Sequence, residues 1–147
     1  MIRTLILGLG NTLLGDDGIG VRVAEQLQGS VSGAEVINGA TAGLSLLEKI
    51  NDYEKVVVVD AVEMGKIPGS IARFSAEELL SLPESQSFSL HEIGLVEVLK
   101  IGKNLSEDFN NVIIVGVQPK ELNQQELSPE VEKSIPEVIA MVKKEVG

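Results

Sequence analysis

The chain contains no cysteine and no tryptophan, and only one histidine, His91. Without cysteine there are no disulfides, no thiolate metal ligands and no thiol nucleophile. Aromatic residues make up 3% of the sequence, so leucine, valine and isoleucine must fill the core. Basic residues are few: 12 Lys and Arg against 22 Asp and Glu give a net charge of −10. A compact protein this acidic repels phosphate backbones, which argues against nucleic acid as a partner. The longest apolar runs are four to seven residues, far short of a membrane span. The first apolar run begins at residue 2 or 3, with no basic segment or small-residue cleavage site before it, so no secretory leader is expected. A cytoplasmic protein follows, with no membrane contact.

The length of 147 residues suits a single domain spanning 1–147, able to bury roughly 70% of its unfolded surface. Ile2 to Leu9, Val56 to Val59 and Val112 to Val117 are apolar on both faces, the pattern of parallel strands covered by helices. Glu35 to Asn38 is a weaker strand, and Ser70 to Phe74 adds an edge strand after the Pro68-Gly69 turn. Between them, Asp17 to Gln28, Leu44 to Ile50, Glu92 to Ile101 and Pro129 to Val146 read as helices. Ser128-Pro129 supplies an N-cap followed by proline at the first helical position, and Pro136 should kink the last helix. Leu82 to Ser89 reads as a polar, mobile loop. The expected fold is a three-layer α/β/α domain: a mostly parallel, twisted sheet of about five strands with helices on both faces.

Ligands of such sheets sit beyond the carboxyl ends of the strands. Asp16 and Asp17 fall there after the first strand, Asn38 after the second and Asp60 after the third. The segment Gly8 to Gly20 is glycine-rich but binds no nucleotide by pattern. Leu13 breaks the dinucleotide fingerprint, and Gly15 is followed by two aspartates instead of Lys-Ser/Thr. Paired carboxylates suit a cation, although an aspartate there also serves as a helix cap. Asp60 closes a buried strand and needs a partner, either loop amides or a ligand. Two carboxylates with one neutral imidazole, His91, make an open site for Ni²⁺ or Zn²⁺. No serine elbow is present, so hydrolysis would use a carboxylate or a metal to activate water.

Five segments together resemble one family. They are Gly8-x-Gly10-Asn11-x-Leu13-x-x-Asp16-Asp17-Gly18-Ile19-Gly20, Gly39-Ala40-Thr41-Ala42-Gly43, Val59-Asp60-Ala61, Ser89-Leu90-His91-Glu92-Ile93-Gly94-Leu95 and Val115-Gly116-Val117-Gln118-Pro119. In order and in combination they are similar to the hydrogenase maturation endopeptidases. The resemblance implies cleavage of a C-terminal tail from the nickel-loaded large-subunit precursor of a [NiFe] hydrogenase. It implies a metal site at Asp17, Asp60 and His91, filled by nickel that the substrate supplies, although other divalent metals can occupy it. A substrate groove is expected along the same edge, bordered by Thr41 to Gly43 and the Leu82 to Ser89 loop, in a monomeric enzyme. The family usually carries aspartate where this chain has Asn38, and an amide cannot act as a general base. Either Asn38 only positions the substrate and another carboxylate activates water, with Asp16 the obvious substitute and Asp17 and Asp60 the other candidates, or the enzyme is slow or altered. The readings that compete are a non-cleaving, nickel-sensing or chaperone-like module and a generic small-molecule-binding domain.

Overall fold

The computed structural model describes residues 3–41, 43–82 and 94–147. Five strands form one sheet in the order β2-β1-β3-β5-β4. They are β1 (Thr4–Leu9), β2 (Ala34–Ala40), β3 (Lys55–Ala61), β4 (Ile71–Ser75) and β5 (Val112–Val117). β1 pairs in parallel with β2 and β3, and β3 with β5, while β4 runs antiparallel along β5. The helices are α1 (Ile19–Leu27), α2 (Ser45–Lys49), α3 (Ala76–Leu80), α4 (Leu95–Asn104), α5 (Pro129–Glu132) and α6 (Ile135–Val146). This is the expected architecture: a mostly parallel sheet flanked by helices on both faces.

The sheet is covered on both sides because its strands alternate two apolar sets, as the pleat requires. Leu5, Leu7, Val56, Val58 and Ile114 pack with Leu46 and Ile50 of α2, Leu79 of α3 and Leu95 and Leu99 of α4. Ile6, Val57, Val59, Val115 and Val117 pack with Ile19, Val23 and Leu27 of α1 and with Val138 and Val142 of α6. All of these side chains are essentially withdrawn from water. Burying one such residue contributes about 1.5–3 kcal/mol before entropy is counted.

Two features differ from the sequence reading. α3 was not expected. It starts at a capping box in which the Ser75 hydroxyl accepts from the Glu78 amide at 3.1 Å and the Glu78 carboxylate accepts from the Ser75 amide at 2.7 Å. The C-terminal helix does not kink at Pro136; it breaks into α5 and α6, and Pro136 sits in the first turn of α6. A proline there loses nothing, because its missing N–H would have no partner in the first turn. Ser128 caps α5 through the Val131 amide, as its position before Pro129 indicates.

Candidate active site

The chain leaves β1 towards β2 on one side and reaches β3 on the other, so the sheet order reverses between β1 and β3. That point, at the carboxyl ends of the strands, is where open α/β sheets hold ligands. The loop after β1 runs from Gly10 into a 3₁₀ turn, Gly15–Gly18, that leads directly into α1. Asp17 belongs to this turn, and Asp60 is the penultimate residue of β3.

The turn reaches the sheet because glycine permits it. A Cβ on Gly20 would collide with the carbonyl oxygens of Val59 and Leu9. The start of α1 therefore lies on the backbone of both strands, which draws Asp17 towards the end of β3. Gly15 has φ of 53°, and a Cβ on it would strike the Glu121 carbonyl oxygen. This is a left-handed conformation with backbone at contact distance, which glycine accepts at little cost.

Asp17 and Asp60 are each 5% exposed. One oxygen of Asp17 accepts from the Asn11 amide at 2.8 Å, and one of Asp60 accepts from the Ala61 amide at 2.8 Å. Burial pushes the Asp60 carboxyl well above the usual carboxylate range, and the neighbouring negative charge of Asp17 pushes it further; the Ala61 amide only partly opposes them. The two acids thus share one neighbourhood in which a second negative charge is costly. A divalent cation would remove that cost, so the donor chemistry fits a hard or borderline metal. Among the described residues no group of three metal-binding side chains occurs. His91, the third expected ligand, lies outside the described residues, as do residues 83–89 of the expected groove border.

Asp16 is placed differently from its neighbour. It is fully buried and points into the connection between β5 and α5. Its carboxylate accepts from the amides of Lys120 and Glu121 at 2.8 Å each, from the Ser128 amide at 2.7 Å and from the Ser128 hydroxyl at 2.8 Å. Three of these donors meet Oδ2 and one meets Oδ1, so the carboxylate gathers the connection around it. Asp16 thus ties that connection to the loop after β1. Neither aspartate caps a helix: neither the 3₁₀ turn nor α1 has a side-chain cap. Asp16→Asn replaces one acceptor by a donor facing an N–H group. It should lower the urea midpoint at unchanged m-value, a loss of about 3 kcal/mol, since bonds to a charged group contribute about 1.5–3 kcal/mol and orphaned donors add to the cost.

The other candidates line the end of β2. Asn38 is exposed, paired with Gly8, and its side-chain oxygen accepts from the Ala40 amide at 3.0 Å. The register slips at Gly39, and Ala40 takes φ of 47° before its carbonyl accepts from the Gly10 amide at 2.7 Å. This bulge turns the chain across the carboxyl edge. Thr41 is half-buried and its carbonyl accepts from the amide of Gly43, which is buried, at 3.0 Å.

Gln118 was not singled out. It is 3% exposed and follows β5. Its oxygen accepts from the amides of Met64 and Lys66, and its nitrogen donates to Glu63 and to the Pro119 carbonyl. A buried amide at the end of an apolar strand is the signal that could have found it, because such a group must bond to something nearby.

The profile of the hydrogenase maturation protease family matches residues 21–145. A hydrogenase expression/formation protein, HupD, of Thiocapsa roseopersicina is 34% identical over 142 residues, covering 93% of this chain and 64% of that protein. A putative hydrogenase maturation protease of Methanocaldococcus jannaschii is 31% identical over 150 residues, covering 97% of this chain and 95% of that one. The [NiFe] hydrogenase maturation protease HybD of Thermococcus kodakarensis superposes with a TM-score of 0.77 at 28% identity, covering 99% of this chain and all of that one. The hydrogenase maturating endopeptidase HybD of E. coli gives a TM-score of 0.76 at 29% identity, covering 96% and 90% of the two chains. The chain spans 59% to 64% of the length of the HupD relatives it matches. Among the described residues, no helix is long and apolar enough to cross a membrane.

Proposed function

Because the chain belongs to the hydrogenase maturation protease family, we propose that it is a cytoplasmic, monomeric endopeptidase that removes the C-terminal tail of a nickel-loaded [NiFe] hydrogenase large-subunit precursor. The observation that carries this reading is the pair of buried acids, Asp17 and Asp60, at the point where the sheet order reverses. With His91 they grip nickel already seated in the substrate. That contact reads out nickel loading and places the tail along Thr41 and Gly43.

Water activation then falls to the pair itself, because Asp16 is occupied by four donors. Asp60 is the candidate base. Before nickel is gripped, burial first and Asp17 second hold its proton affinity above that of an ordinary aspartate; the cation relieves that rise, so it acts as an ionised carboxylate. Asn38 has no proton-accepting carboxylate and contributes by positioning the peptide.

Single substitutions assayed for precursor cleavage test this. His91→Ala should cut more than about 100-fold more slowly, since losing a ligand exceeds the 10–100-fold cost of losing an outer partner. Asn38→Asp should cut at the parental rate or faster. Parental cleavage by His91→Ala would end the nickel-grip mechanism. Inhibition by serine-directed reagents would end the water-activation step.

A further inference from the structure

The connection that leaves β5 touches both loops that carry the paired acids. At its start, the Val117 carbonyl accepts from the Val62 amide at 3.0 Å, two residues beyond Asp60. The Gln118 side chain then holds the next loop. Its oxygen accepts from the Met64 amide at 2.7 Å and the Lys66 amide at 3.1 Å, and its nitrogen donates to the Glu63 carboxylate at 2.7 Å. The Gln118 backbone adds two bonds, donating to the Ser70 carbonyl at 2.8 Å and accepting from the Gly69 amide at 2.9 Å.

Further on, the same connection holds the other loop. The Glu121 carbonyl accepts from the Asp16 amide at 2.8 Å, and the Asp16 carboxylate gathers the amides of Lys120, Glu121 and Ser128. Asp17, next in sequence, inherits that anchorage. Residues 118–128 contain no helix or strand, yet their start and end are fixed by buried polar groups. A surface loop held that firmly on both sides needs a reason, because connections ordinarily tolerate looseness.

We propose that residues 118–128 form a brace that sets the spacing between Asp17 and Asp60, and that Gln118 is the positioning residue for the Asp60 side of the site. Gln118 touches neither acid. It acts through the loop of residues 62–66, as Asp16 acts on its neighbour from the other end of the brace. Only an amide satisfies this position fully: its oxygen takes two N–H groups while its nitrogen faces a carboxylate and a carbonyl. Glutamate would keep the first pair and set two carboxylates against each other.

The test exploits that asymmetry. In Gln118→Glu the new acid repels Glu63. In the double variant Glu63→Gln, Gln118→Glu the donor and acceptor of that one contact exchange sides and the repulsion is removed, while the Pro119 carbonyl loses its donor and the Gly65 amide, which donates to the same Glu63 oxygen, loses its acceptor. The amide of Ala61, which donates to Asp60, and that of Asn11, which donates to Asp17, report the site directly by hydrogen exchange. Gln118→Glu should exchange at Ala61 at least about fivefold faster, with the Ile6 amide in β1 unchanged, and the double variant should bring Ala61 part of the way back towards the parent. On nickel-loaded precursor, Gln118→Glu should lose about tenfold in kcat, the lower end of the cost of removing an outer partner, with KM little changed; the double variant should recover part of it.

The kinetic arm rests on the protease reading, whereas the exchange arm does not. A parent that fails to cut any precursor would defeat the protease reading and leave the exchange result to decide the brace. Unchanged Ala61 exchange in Gln118→Glu, or a double variant no better than the single one, would overturn the brace. A uniform rise in exchange that includes Ile6 would overturn it too, since that would mark general loosening.

Discussion

Asp60→Asn should abolish cleavage and, at the same time, make the metal-free protein more stable at neutral pH. The two effects share one cause. Asp60 is 5% exposed, and its carboxyl is held well above the usual range by burial and by Asp17. The folded state therefore binds this proton more tightly than the unfolded chain does. The stability that goes with it is present below the ordinary aspartate value near 4 and is lost as pH rises through the raised folded value. At neutral pH the buried acid is a liability whether it carries its charge or must take up a proton, and asparagine removes that cost while keeping an oxygen for the Ala61 amide. The expected gain is roughly 1–3 kcal/mol, the range for relieving a poorly satisfied buried polar group. It should shrink towards zero below about pH 4, where the parent is protonated as well. Thermal melts of both proteins from pH 3.5 to 7.5 read this directly. Under the proposed mechanism, cleavage by the variant should fall more than about 100-fold, because a nickel ligand and the general base would be lost together. Equal melting curves across the range would show that the carboxylate is not strained, and parental cleavage would remove Asp60 from the chemistry.

Gly20→Ala should be strongly destabilising for a change of one methyl group. Two opposed effects meet there. Alanine favours a helix over glycine by about 0.8–1 kcal/mol. The added Cβ, however, meets the carbonyl oxygens of Val59 and Leu9, which belong to two strands and cannot turn aside. Overpacking against side chains costs about 1–3 kcal/mol, and against sheet backbone the upper end or beyond applies. Relief requires α1 to move off the sheet, which uncovers Ile19 and Val23 and carries Asp17 away from Asp60. A net loss of about 3 kcal/mol should lower the melting temperature by roughly 6–12 °C. Nickel-dependent cleavage should fall even at temperatures where the variant stays folded. Gly33→Ala is a fair control: its Cβ would meet nothing, although its φ of 85° carries a modest backbone cost.

The sheet was readable where strands are buried on both sides. β1, β3 and β5 stand out as unbroken apolar runs because helices cover both of their faces. β2 gave a weaker signal for the same physical reason: it is an edge strand with alternating exposed residues, so composition says less about it. α3 escaped notice because five residues show no helical period, although its Ser75-to-Glu78 capping box was visible in the sequence. Pro136 implies a kink only in a helix that runs unbroken from Pro129; with the break at Lys133 and Ser134 the proline needs no distortion.

The site divides along similar lines. That acids cluster at the carboxyl edge follows from strand order and residue type alone. Which of two adjacent aspartates faces the edge does not. Asp16 is turned away by partners 104 to 112 residues downstream, contacts that no local pattern encodes. Gln118 was passed over for the same reason, as it closes on amides 52 and 54 residues earlier.

The central claim is that this chain cuts a hydrogenase precursor only after nickel has been loaded. Purified protein should be incubated with matched nickel-loaded and nickel-free forms of a [NiFe] hydrogenase large-subunit precursor, and intact masses recorded over time. The nickel-loaded precursor should lose the mass of one C-terminal peptide, and the nickel-free form should keep its full mass. A loaded precursor that stays intact while remaining bound would make the protein a nickel sensor, and equal cutting of both forms would contradict recognition through Asp17, Asp60 and His91.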